Sequence, residues 1–272
     1  MKYFFLLLAS FIACLLPGVS FSQKNSSFKL IRSIHGDIVD FTVDNLDNIY
    51  IINSTDQIKK LNSNGDSVAV YNNIKKYGKV SQIDVSNALK VLLYYKDFST
   101  IVTLDRLMNA RSTIDLGKKN IFQVKTIGLS YDNNIWLYDE VESKLKKIDD
   151  EGRLLNETSD FRLLFNAPPS PQKIFDHDGF VYLYDTTRGV FVFDYYGSLK
   201  NKIPITGWNN FKVIDKFIFG TRQDTLQRYE IKTFNLRQLK LPGQLHSAKM
   251  LNFTNTRLYA LRDNELDIYS LQ

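Results

Sequence analysis

A single cysteine, Cys14, occurs in the 272 residues, and it falls inside an apolar stretch near the N-terminus. The chain beyond it therefore has no disulfide and no thiol for catalysis or metal binding. A body of this length can bury a sufficient core without cross-links. Histidine is almost as scarce. His35, His177 and His246 stand far apart, with no HxH or HExxH spacing, which argues against a zinc site. The triplet Asp176-His177-Asp178 reads as a solvated turn. All 13 glycines are dispersed singly, so there is no glycine-rich phosphate loop, and no GxSxG elbow presents a serine nucleophile. The formal charge of +6 comes from scattered pairs such as Lys59-Lys60 and Lys118-Lys119. Without a basic run there is no electrostatic footprint for nucleic acid.

What is present begins with a leader. Lys2 is followed by the apolar stretch Tyr3 to Leu16, and Ser20-Phe21-Ser22 puts small residues where a signal peptidase reads. Residues 1–22 are expected to be a secretory signal peptide cleaved after Ser22, too short to anchor the chain in a bilayer. Phe11-Ile12-Ala13-Cys14 also offers a degenerate lipobox, with Cys14 lipidated; Leu15-Leu16 continuing the apolar run favours a discarded peptide. The expected location is the periplasm or the outer-membrane periphery of a Gram-negative cell, with no transmembrane segment in the mature chain.

The body of the chain repeats. Ile49, Val91, Ile135, Val181, Phe217 and Leu258 anchor six short apolar strands at steps of 42, 44, 46, 36 and 41 residues. A period of this length, with only strands between, marks a radially repeated β-sheet. Each repeat reads as four strands, A to D; in the first, they cover residues 38–43, 48–52, 57–61 and 67–71. Turns from A to B are rich in Asp and Asn, as in Asp132-Asn133-Asn134. Turns from C to D end in glycine at Gly65, Gly152 and Gly197. Both compositions suit hairpins that need a left-handed residue.

These turn signatures are similar to those of NHL-like six-bladed propellers, whose repeats run D-x-x-G/N-N-I-Y-V-x-D followed by I-x-K-F-D-x-x-G. Residues 38–66, 127–153 and 174–198 match most clearly, while the second, fifth and sixth repeats depart from the turn pattern. The resemblance implies an all-β six-bladed β-propeller formed by residues 23–272 as one domain. It leaves function open, because propellers host unrelated activities.

The ends agree with a closed ring. The sixth repeat stops after a third strand, Leu266 to Leu271, and the segment 28–34 has no blade of its own. Pairing of that N-terminal strand with the C-terminal strands removes two open sheet edges.

Two sets of residues are candidates for function. Asp56, Asp97, Asp139, Asp185, Asp224 and Asp263 follow the B strands and would form an acidic collar able to hold calcium if they converged. Asp is equally a common turn residue, and on that reading there is no cofactor. Sugar-lactone hydrolases of similar fold carry an axial metal, but Gly36-Asp37-Ile38 stands where their early acidic segment would lie. The second set is the irregular connection with Phe161, Phe165, Pro168, Pro169 and Pro171, together with Trp208, Arg188 and Arg222. On the blade-connection face these would make a protein-binding patch, unless Phe161 and Phe165 fold back onto their own blade. The resulting expectation is a monomeric, non-catalytic binding or scaffolding propeller with another envelope protein as partner, in one version a subunit of an outer-membrane translocation or assembly complex. The alternative is a lactonase-like metal-dependent hydrolase, or a small-ligand-binding propeller with an axial site.

Overall fold

The structure, a computed structural model, describes residues 28–271. The leader, its cleavage site and Cys14 lie outside the described residues. The chain opens with β1 (Phe28–His35) and then runs through six four-stranded antiparallel sheets. Blade 1 holds β2 (Asp40–Val43), β3 (Ile49–Ile52), β4 (Ile58–Leu61) and β5 (Ser67–Tyr71). Blade 2 holds β6 (Gln82–Asn87), β7 (Lys90–Tyr95), β8 (Thr100–Asp105) and β9 (Ala110–Asp115). Blade 3 holds β10 (Val124–Leu129), β11 (Ile135–Asp139), β12 (Lys144–Ile148) and β13 (Leu154–Glu157). Blade 4 holds β14 (Lys173–His177), β15 (Phe180–Asp185), β16 (Gly189–Asp194) and β17 (Leu199–Ile203). Blade 5 holds β18 (Asn209–Ile214), β19 (Phe217–Arg222), β20 (Thr225–Glu230) and β21 (Asn235–Lys240). Blade 6 holds β22 (Met250–Phe253), β23 (Arg257–Arg262) and β24 (Glu265–Leu271), and β1 supplies its fourth strand. The fold is thus a six-bladed β-propeller, and the second blade is as regular as the others.

Ring closure is antiparallel pairing from Phe28 opposite Leu271 to His35 opposite Glu265, with a bulge between Leu30 and Arg32. Phe28 is buried among Leu258, Tyr269 and their neighbours, while Leu30 and Ile31 remain exposed. β1 therefore contributes the buried Phe28, the partly buried Ile34, the Ser33 hydroxyl that donates to Asp267, and its backbone pairing with β24.

The core lies between blades. Residues from each consecutive pair of sheets form one apolar cluster, including the pair that joins blade 6 to blade 1 through Tyr259, Ile268, Phe41 and Ile49. The second strands are sandwiched on both faces, so Val91 to Tyr95 and Ile135 to Asp139 are buried without alternation. The turns behave as their composition requires. Asn62, Asp105, Asp149 and Asp194 each accept from the backbone N–H groups two and four residues on. Gly65, Gly152 and Gly197 sit at φ of 82°, 76° and 85°. In blade 2 Met108 takes the equivalent position at φ 63°.

Among the described residues two one-turn α-helices interrupt the strands, α1 (Ile74–Tyr77) and α2 (Phe161–Leu164). Asp160 caps α2 by accepting from the Arg162 N–H at 2.8 Å.

Candidate functional site

Two regions stand out: the channel along the ring axis and the face formed by the blade connections and the B-to-C turns. The first strand of each blade lines the axis, so alternate residues point inward. These are Asp40 and Thr42 in β2, Gln82 and Asp84 in β6, Lys173 and Phe175 in β14, Asn210 and Lys212 in β18, and Asn252 in β22. The channel encloses about 1020 Å³. It is displaced from blade 3. Gly128 lets β10 approach β14, where a Cβ would come within 2.9 Å of the Ile174 carbonyl oxygen. Gln82 ties β6 to β10 by donating to the Ile127 carbonyl at 2.7 Å and accepting from the Ile127 N–H at 3.1 Å.

Lys212 reaches across two blades. Its ammonium donates to the carbonyls of Phe253 (2.8 Å) and Val43 (3.3 Å) and to Asn252 Oδ1 (3.3 Å), with no carboxylate within ion-pair distance among the described residues. Burial pushes its pKa down to about 8 from 10.5, against the attraction of Asp44, Asp84 and Asp47. The unfolded chain binds this proton more readily, so the cost of the buried charge fades as pH rises from about 8 to 10.5. Across that window the wild type is expected to gain stability relative to Lys212→Met, by at most about 1.4 kcal/mol per pH unit, the limit for one proton. Urea melts at several pH values read this directly; a constant difference contradicts it.

The acidic collar does not assemble. Asp185, 1% exposed, accepts from the N–H groups of Ser170, Thr187 and Arg188 and from the Thr187 hydroxyl. Burial would raise its pKa, yet these hydrogen bonds hold it below the ordinary carboxylate value. Asp139 is buried against Lys146 Nζ at 2.8 Å, and it accepts from the N–H groups of Val141 and Glu142. Burial would lower the Lys146 pKa, but its bonds to Asp139 and Glu142 raise it. Asp56 lies 3.9 Å from Lys79, Asp224 3.9 Å from Lys240, and Asp263 3.0 Å from Lys249, while Asp97 is exposed in a 3-10 turn. Apart from Asp97, these are turn acceptors or ion-pair partners. Among the described residues no group of three His, Cys, Asp or Glu is placed to hold a metal.

Of the residues expected to form a binding patch, Phe161, Pro169, Pro171 and Trp208 are interior. Phe161 is fully buried, stacked on Phe193 at 4.9 Å, and Phe165 packs edge-on against Phe191 at 5.1 Å. Pro169 and Pro171 are also interior, and Pro168 is half-buried. The connection is pinned by Asp185 to Ser170 and by the Arg188 guanidinium, which donates to the Ala167 carbonyl and lies over the Phe191 ring. Trp208 is 4% exposed, and its backbone exchanges hydrogen bonds with the Tyr184 hydroxyl. Its ring occupies space that a Cβ on Gly220 would enter, at 2.5 Å. With exposed Arg222, Trp208 lines a cleft of about 350 Å³ between blades 4 and 5. Asp176 and His177 are likewise not a solvated turn. His177 ends β14 at the channel wall. Asp176 accepts from Ser130 Oγ, Trp136 Nε1, the Tyr195 hydroxyl and the Tyr131 N–H, joining blades 3 and 4.

The apolar surface of the connection face is carried by other residues. Leu163 is 83% exposed, Phe122 63%, Val141 52% and Leu164 49%. The segments that carry them are tied together: the Glu140 N–H donates to the Gln123 carbonyl at 2.8 Å, and the Arg162 guanidinium donates to the Glu142 carbonyl at 3.4 Å. Around them stand paired charges, Lys125 with Glu140, Lys144 with Glu142 and Arg162 with Asp160.

Comparison with solved structures agrees on the fold. The chain is similar to virginiamycin B lyase from Staphylococcus aureus in complex with quinupristin, at TM-score 0.64 and 15% identity, covering 90% of this chain and 100% of that one. It is also similar to the Pan2 WD40 domain of Neurospora crassa, at TM-score 0.60 and 8% identity over 90% and 95% of the two chains. The WD40 propeller domain of Doa1 aligns at TM-score 0.56 and 12% identity, over 90% and 97%. No protein-family model matches the chain, and no curated protein is significantly similar to it.

Proposed function

We propose that the protein is an exported, NHL-like, non-catalytic propeller that binds another protein of the cell envelope through its blade-connection face. The observation that carries this reading is the exposure of Phe122, Val141, Leu163 and Leu164 on neighbouring segments that also carry the paired charges Lys125–Glu140, Lys144–Glu142 and Arg162–Asp160. An apolar centre with a polar rim is the anatomy of a protein interface. The aromatic and proline residues beneath it, Phe161, Phe165 and Pro169, are packed, so the surface is presented on a rigid floor. Support for export is the leader pattern in residues 1–22. A periplasmic subunit of an outer-membrane translocation or assembly complex is one concrete form of this role. Of the acidic residues predicted for an axial metal, Asp139 and Asp185 are engaged with turn N–H groups or a lysine. Asp56, Asp224 and Asp263 lie beside lysines, and Asp97 is exposed, so among the described residues no acidic constellation supports the hydrolase reading.

Replacing Phe122 and Leu163 together by Asp is expected to remove the protein from its envelope complex in a co-sedimentation assay while leaving its thermal melt nearly unchanged. Persistence of the complex in that variant overturns the assignment of the face. Intact mass of the protein recovered from the envelope is expected to correspond to a chain starting at Gln23; a chain retaining residues 1–22 overturns export.

A further inference from the structure

The axial channel has a charge arrangement that the binding role at the outer face leaves unused. The ring order places blade 1 opposite blade 4. Asp40 is the first residue of β2 and Lys173 the first of β14, so the two stand at one level near the connection-face mouth, on opposite walls. No ion pair within 4 Å joins them among the described residues, although Lys173 is near enough to attract the Asp40 carboxylate electrostatically. One oxygen of Asp40 accepts from the Phe41 N–H at 2.6 Å; the other oxygen and the Lys173 ammonium have no hydrogen-bond partner among the described residues.

The other charged groups of the channel are engaged. Lys212 is bound by three oxygens, and Asp84 accepts from the N–H groups of Leu129 (2.9 Å) and Ser86 (2.8 Å). Asp47 accepts from Thr254 and Tyr259, tying blade 6 to blade 1. Asp215 accepts from Asn255 at 3.1 Å, Asp176 is tied to blade 3, and His177 lines the wall lower down, at the far end of β14. Lys79, which also attracts Asp40, lies 3.9 Å from Asp56. At the level of the connection-face mouth this leaves the Asp40 carboxylate and the Lys173 ammonium on opposite walls with no ion pair between them. Burial also raises the Asp40 carboxyl above its ordinary value, a cost that a cationic partner would offset.

We propose that this channel binds a small zwitterion of the α-amino-acid type, its ammonium at Asp40 and its carboxylate at Lys173. A carboxylate and an ammonium on opposite walls favour a ligand that carries both signs over one with either end blocked. A cavity of about 1020 Å³ accommodates a free amino acid or a short peptide with both ends free. Both sources share this chemistry.

Saturation-transfer NMR on the mature protein tests it, using the proteinogenic L-amino acids, glycylglycine and alanylalanine, and their N-acetyl and C-amide derivatives. Transfer to a free zwitterion is expected, and blocking either end should weaken it by about tenfold or more, the loss of one charge-assisted contact. Amino acids binding without the dipeptides assigns a single residue, and the converse assigns a peptide. Lys173→Met should make the protein indifferent to C-amidation, and Asp40→Asn indifferent to N-acetylation, each with an unchanged far-ultraviolet circular dichroism spectrum. The proposal is overturned if no zwitterion shows transfer, if blocked ligands bind as well as free ones, or if both variants discriminate as the wild type does.

Discussion

A chain that begins after His35 is expected to lose its cooperative melt, because blade 6 then ends on the open edge of β24. The lost contacts are seven aligned residue pairs and the burial of Phe28. With net backbone hydrogen bonds near 1 kcal/mol each and an aromatic side chain worth roughly 2 kcal/mol, the loss is on the order of 5 kcal/mol or more. That is comparable with the total stability of a domain, typically about 5–15 kcal/mol. Asp267, fully buried, also loses the Ser33 hydroxyl that donates to it at 2.5 Å and keeps Arg262 and Tyr269. Circular dichroism of the truncated chain is the measurement, with Phe28→Ala as a milder companion expected to melt between the truncation and the wild type. A melting temperature equal to that of the intact protein would remove β1 from any role in closure.

Phe161→Ala is expected to destabilise the protein by about 3–5 kcal/mol, the range for truncating a buried Phe. For a chain of this size that corresponds to roughly 10 °C in melting temperature. The ring is sandwiched between Phe193, Tyr138 and Phe165, so the vacated space lies where blades 3 and 4 meet. Leu163→Ala, two residues away and 83% exposed, should shift stability by less than about 0.5 kcal/mol. If Phe161 served instead as a surface anchor, the two variants would differ in partner binding and not in the melt.

The architecture could be read from the chain because its signals were local and redundant. The strand anchors share a period with the turn glycines, and each turn residue acts within its own hairpin. Blade 2 lacks the glycine, yet Asp105 and Met108 build the same turn, which is why its weaker signature still folded alike. The patch is less legible. The repeat breaks at 161–171, but whether an aromatic residue in an irregular connection turns outward depends on the neighbouring sheet. Phe161 found Phe193, and Trp208 found the space above Gly220. The channel residues did leave a trace. Inner strands alternate polar and apolar positions, as in Asp40-Phe41-Thr42-Val43 and Gln82-Ile83-Asp84-Val85. What no strand reveals alone is which polar side chains are satisfied across the ring. Lys212 and Lys173 look equivalent in sequence and differ wholly in their partners.

Because the functional claim rests on one face of the ring, comparing the two faces in the cell tests it most directly. A photo-crosslinking phenylalanine analogue at position 163, on the connection face, is to be compared with one at position 196, which is 88% exposed in a C-to-D turn on the opposite face. A discrete crosslinked envelope protein from position 163, absent from position 196, is the predicted result. Crosslinking from 196 with none from 163, or none from either, would contradict it.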